Sequence, residues 1–229
     1  MGWIRDITGK SEKVLPLMVG NLAPPPQFAQ IEAYWQALRP ADGALPRRAD
    51  FDPRGIADLL HATLLLERIA PGQVRIRLAG MALCDQMGMD LRGMPLSALM
   101  VPGARAGLAA QLQQVFDGPM IAHLGLSGEK GVMRPAFDGH LLLLPMRGNS
   151  GAADRALGCL VTTGTAGRPP RRFDLTGASL RLVPGLPQTD PARTPAPCLP
   201  EVQGLSEPHA PFAAAPKGRP YLRLIKGGA

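Results

Sequence analysis

Of four histidines, His61, His123 and His140 lie ahead of the Pro-rich stretch that starts at residue 184, and they supply the imidazoles from which an axial haem ligand would have to be drawn. His123 is the best placed, because MIAHLGLSG reads as a strand, and a strand holds a side chain rigidly. The same position equally suits a hydrogen-bonded structural histidine. Arg77 carries a fixed fork of donors that would hold an acidic ligand, although its alternation with Ile76 and Leu78 also fits a solvent-facing arginine. Cys84, in ALCDQMG, is a candidate thiol or a small apolar filler, and Met87, Met89 and Met94 would line a pocket adaptably or pack a core. Arg77, Cys84, Met87 and His123 are therefore the ligand-binding candidates, with no cofactor assigned.

Catalytic patterns are missing from the sequence. There is no G-x-S-x-G elbow, no H-E-x-x-H and no phosphate loop, and Gly125-Leu126-Ser127-Gly128 lacks the spacing of a nucleophile elbow. Asp85, Asp90 and His123 define no acid/base system, and the acidic residues and histidines are too dispersed to supply three ligands to a metal. The reading is a non-enzymatic protein without a metal site.

The elements that must position the candidates follow from periodicity. Phe28, Ile31, Trp35 and Leu38 recur at spacings of three and four, which predicts an amphipathic helix ended by Pro40. That stripe would pack on its own domain or cover a partner. Asp52 and Pro53 mark the start of a short helix running toward His61. HATLLLERI and QVRIRLA, separated by Pro71-Gly72, form a hairpin, and Val74, Ile76 and Leu78 alternate with Arg75 and Arg77. Gly88, Gly93 and Pro95 then break the chain into helical turns. Leu108, Leu112, Val115 and Phe116 share a face of a longer helix that Gly118-Pro119 stops, before three strands around MIAHLGLSG, GHLLLLPMR and RALGCLVTT.

Composition sets the outer limits. With 229 residues, 45% of them hydrophobic and 19% charged, the chain can bury a core without metal or disulfide support. Cys84, Cys159 and Cys198 are widely spaced and odd in number, which fits a reducing compartment. Residues 1–20 never reach the apolar run of a signal peptide, and no stretch approaches the roughly 18 apolar residues of a membrane span, so a cytoplasmic location is expected. The net charge of +7 is spread along the chain. Its densest cluster, Arg168, Arg171 and Arg172, falls in a Gly/Pro-rich connector without Trp or Tyr for base stacking, so nucleic acid is disfavoured as a partner.

From residue 184 to 220, ten prolines deny the chain both helix and sheet, which predicts a flexible tail. Beyond it, GRPYLRLIKGG reads as an edge strand or a docking peptide. The expected organisation is an N-terminal extension over 1–27, a domain over 28–183 and a Pro-rich tail over 184–229.

The order of elements resembles a PAS domain, specifically the variant found in many alphaproteobacterial proteins of unassigned role. The resemblance runs from about Phe28 to Thr165. It is carried by the Trp35 helix followed by LPRRADFDP, by RIRLAG with MDLRG after it, by the helix ending in VFDG, and by LLLLPMRG leading into ALGCLV. It implies an α+β fold: a five-stranded antiparallel sheet with short helices and one longer helix over one face. It further implies small-molecule sensing, dimerisation or contacts with signalling proteins. Flavin photochemistry in the related light-sensing group needs an Asn-Cys-Arg-Phe-Leu-like motif, from which the surroundings of Cys84 depart. No kinase, cyclase, phosphodiesterase or helix-turn-helix segment is recognisable after Thr165, so output would pass through noncovalent contacts with a signalling protein or a second copy.

Overall fold

Strands need both faces covered wherever their apolar residues do not alternate with polar ones, and LLLLPM over 141–146 is such a run. The computed structural model describes residues 23–129, 135, 137–165 and 167–186, and shows how the covering is done. Six antiparallel strands form one sheet: β1 (Thr63–Ala70), β2 (Gln73–Ala79), β3 (Met120–Gly128), β4 (Phe137–Met146), β5 (Arg155–Gly164) and β6 (Phe173–Leu182), in the order β2-β1-β5-β4-β3-β6. The first five match the expected strands. The sixth is a correction to the expected five: residues 173–182 fall inside the expected domain and form a further strand on the β3 edge.

Two apolar layers sandwich this sheet. On one face, Leu64, Leu66, Ile76, Leu124, Leu141 and Leu143 pack against α2 (Met81–Met87), the helical turns after it and α3 (Arg105–Asp117). Helix α3 contributes Leu108, Leu112, Val115 and Phe116, the four residues of its predicted face. On the other face, Leu65, Ile121, Leu142, Leu144, Leu157 and Cys159 pack against α1 (Pro26–Ala37) and the 3-10 segment Pro53–Ala62. The expectation of helices over one face is thereby extended: the N-terminal helix closes the opposite one, and its stripe packs on its own domain.

Helix α1 is fixed by a few specific bonds. Phe28, Ile31 and Trp35 are buried, and the Trp35 indole Nε1 donates to the Pro145 carbonyl at 2.9 Å. The Tyr34 hydroxyl donates to the Asp52 carbonyl at 2.7 Å and accepts from the Asp52 amide at 2.9 Å, tying α1 to the start of the next segment. There Asp52 caps as expected, accepting from the Arg54 amide at 3.0 Å, although the segment is 3-10 rather than α. Gly80 leads β2 into α2 at a point where a Cβ would overlap the His61 carbonyl, so only glycine fits.

Residues 1–22 of the expected N-terminal extension lie outside the described residues. So do the Pro-rich tail beyond 186, the terminal segment with Tyr221 and Ile225, and Cys198.

Trp35→Ala removes the largest side chain at the α1 contact and is expected to cost about 3–5 kcal/mol. Trp35→Phe keeps most of the volume but leaves the buried Pro145 carbonyl without its donor, at about 1–3 kcal/mol. Urea unfolding of the whole chain measures both, and losses below these ranges would show that α1 does not secure the sheet.

Candidate functional site

The four candidates occupy three separate places. Arg77 lies on edge strand β2 with its side chain about half exposed, ion-paired to Glu67 on β1. Glu67 is shared with Arg155 of β5 at 2.7 Å, and Arg155 also reaches Asp154 at 3.2 Å. This is a surface network across three adjacent strands, and the solvent-facing reading of Arg77 is the one its position follows. Cys84 and Met87, by contrast, sit together on α2. Met87 is buried in the inner layer and Cys84 packs half-buried against it.

His123 faces the opposite layer, beneath α1. Strand pairing sets it opposite Leu142, with His140 on the diagonal and Gly125 directly opposite His140. Because Gly125 offers no side chain, the His140 ring leans toward His123, and His123 Nε2 lies 3.1 Å from His140 Nδ1. Phe28 of α1 covers the pair, its ring edge-on to His123 with centroids 5.1 Å apart. Close by, Glu32 of α1 is ion-paired to Arg181 of β6. His123 Nε2 is engaged by His140 Nδ1, so a metal ion could take that nitrogen only by displacing this contact. Burial first, and then the charge that His140 can carry, hold the His123 pKa below the ordinary histidine value.

Cys159 is buried on β5, and burial pushes its thiol pKa up to about 12, so it is an unreactive packing residue. A metal cluster of three or more His, Cys, Asp or Glu is absent among the described residues. No described helix is long and apolar enough to cross a membrane.

Two features escaped the sequence reading. A cleft of about 400 Å³ opens beside Leu45, Pro119, Ala153 and Leu186, with Asp42 and Arg147 as its charged members. Arg147 is oriented there by donating from Nε to the Leu45 carbonyl at 2.9 Å. The second is Arg171, a member of the densest basic cluster in the sequence and fully buried in the fold. Its Nη2 donates to the Pro135 carbonyl at 3.0 Å, its guanidinium lies 5.2 Å from the Phe137 ring centre, and its backbone amide donates to Gln86 at 3.3 Å. Two residues on, Phe173 stacks against Phe137 at 5.2 Å.

This strand order and its two helical covers can be set beside known families. The chain matches the PAS domain over residues 24–161, from α1 through most of β5. The chain belongs to the PAS domain family. Strand β6 lies beyond the matched PAS region and is built onto its β3 edge. Among solved structures, a chain described as "Structure of an RNA-binding Light-Oxygen-Voltage Receptor" is similar at 18% identity and a TM-score of 0.36, covering 54% of this chain. This chain spans 35% of the length of that one. No curated protein matches.

The depressed His123 pKa gives stability a sign with pH. Above the ordinary value both folded and unfolded states hold a neutral ring. As pH falls, the unfolded state takes up the proton first, so stability drops. The melting temperature should fall between pH 7.5 and 5.5, and fall less in His123→Gln; equal slopes in the two proteins would contradict the assignment.

Proposed function

We propose that this PAS protein is a non-enzymatic cytoplasmic regulator that binds a small molecule or a signalling protein and passes its state on through noncovalent contacts. The observation that carries the reading is the PAS match from α1 through most of β5, a fold typical of sensory and regulatory modules. Its placement among the alphaproteobacterial variants, suggested by the motifs around Trp35, RIRLAG and LLLLPMRG, belongs to the same proposal. Binding would act by shifting populations between arrangements of the helical covers or the tail, which requires only that the ligand prefer one of them.

Two locations are open to a small molecule. One is the space beneath α2, where Cys84 and Met87 would meet it. The other is the cleft beside Arg147, whose volume falls in the range of small-molecule sites. Arg77 would enter only as a surface contact to a partner, and His123 Nε2 only by giving up its contact with His140.

A second reading, a ligand-free adaptor, draws support from how fully the space beneath α2 is occupied. Leu83, Met87, Leu91 and Leu96 are each no more than 4% exposed. A molecule entering there has to displace packed side chains.

Native mass spectrometry of the chain purified from its own host separates the readings. The regulator reading expects a retained mass beyond the polypeptide, and a bulky substitution at the right location, Cys84→Trp or Ala153→Trp, should lower the occupied fraction about ten-fold or more, equivalent to at least 1.4 kcal/mol of binding. No retained mass, together with no metabolite-induced rise in melting temperature, would leave the small-molecule arm without support and favour the adaptor.

A further inference from the structure

A sheet that ends in an unpaired strand presents a row of backbone donors and acceptors to any other strand. At the β2 end this row is covered from within. The Ile76 amide donates to Met94 at 2.8 Å, the Gly93 amide donates to Ile76 at 2.7 Å, and Arg75 bridges to Pro95. At the β6 end the cover is only begun. The Val101 amide donates to the Phe173 carbonyl at 2.8 Å and Met100 bridges to Phe173. From Leu175 to Leu182 no further backbone partner lies on the outer side among the described residues, and the Leu175 amide is met only by the carboxylate of its own neighbour, Asp174 Oδ1, at 2.9 Å. This stretch contains neither proline nor lysine, the usual guards of an open edge, and Leu182 is 55% exposed.

The sequence of this edge is complementary to itself. Register with β3 skips Thr176, so β6 carries an extra residue there. Phe173 and Leu175 consequently share a face with Ala178, Leu180 and Leu182, while Asp174, Gly177, Ser179 and Arg181 share the other. If two such strands run antiparallel about a two-fold axis at Ala178, the same-face partners are Ala178 with Ala178, Gly177 with Ser179, Leu175 with Leu180, and Asp174 with Arg181. The extra residue at Thr176 is accommodated in each copy as it is against β3. Every charge on the edge then meets its opposite, twice. Arg181 already holds Glu32 of its own protomer, and its several donors leave room for a second carboxylate.

We propose that the outer edge of β6 pairs with the β6 edge of a second copy of this chain, joining two sheets into one. The proposal rests on the sheet edge alone and stands or falls independently of the regulator reading.

Sedimentation equilibrium of the full chain tests it through a charge exchange. The parent should dimerise. Asp174→Arg sets Arg opposite Arg181 and Arg181→Asp sets Asp opposite Asp174, and each should weaken the dimer roughly ten-fold or more, because like charges directly across a ladder repel. Mixed in equal amounts, the two variants form a heterodimer in which both pairs are opposite again, so dimerisation should return. Circular dichroism confirms that each variant is folded. Should either fail to fold, hydrogen exchange of the parent decides, with amides of 175–182 slowing as protein concentration rises. A monomer at all concentrations overturns the proposal. So does a dimer indifferent to both substitutions, a mixture that fails to recover, or an edge whose exchange ignores concentration; any of these would leave the edge to a peptide strand from another protein.

Discussion

The structure depends on one constraint: β4 and β5 bury side chains on both faces, so the sheet cannot stand with a single cover. Leu141 and Leu143 point into one layer while Leu142, Leu144 and Met146 point into the other. Without α1 and the 3-10 segment Pro53–Ala62, the second set would face water. Each fully buried aliphatic side chain is worth about 1.5–3 kcal/mol relative to exposure, and only the pooled burial of the whole layer, from the sheet and from α1 together, offsets the ordering of a 12-residue helix. The bond from Trp35 to Pro145 adds orientation. It satisfies the indole and anchors the helix on the same strand that makes it necessary.

The other organising contact is Arg171. A buried guanidinium is tolerable only where its donors and its flat faces are engaged. Here it donates to the carbonyl of Pro135 and lies over Phe137, while its amide bonds to Gln86 at the end of α2. The chain is thereby delivered to Phe173, the first residue of β6, stacked on Phe137. The sixth strand is thus joined to the PAS core by packing as well as by its ladder to β3. One of the three arginines of the densest basic cluster is removed from the surface, which further weakens any reading of the net charge as a polyanion footprint.

Much of this was legible in the sequence, and the failures have physical causes. Phe28, Ile31 and Trp35 announced α1, and Leu108, Leu112, Val115 and Phe116 announced the face of α3, because helical spacing survives in any environment. Strand β6 was missed because FDLTGASLRL begins after a Gly/Pro-rich stretch, carries Gly177 at its centre and shifts its alternation at Thr176. A run with a bulge has no clean period of two. The site was less legible than the fold. His123 and His140 were each visible, but their meeting depends on register and on Gly125 opposite His140, and neither can be read from spacing. Arg171 gave no signal of burial, since the carbonyl that receives it is 36 residues away.

The central claim is that α1 and the sheet are one folded unit, each unable to keep its apolar face without the other. With Trp3→Phe as background, Trp35 becomes the only tryptophan, and its fluorescence reports the α1 contact while far-UV circular dichroism reports the whole fold. Urea unfolding followed by both signals should give coincident transitions with one midpoint and one slope. A Trp35 transition completed at lower urea, with the remaining secondary structure intact, would show α1 to be a detachable cover and contradict the account.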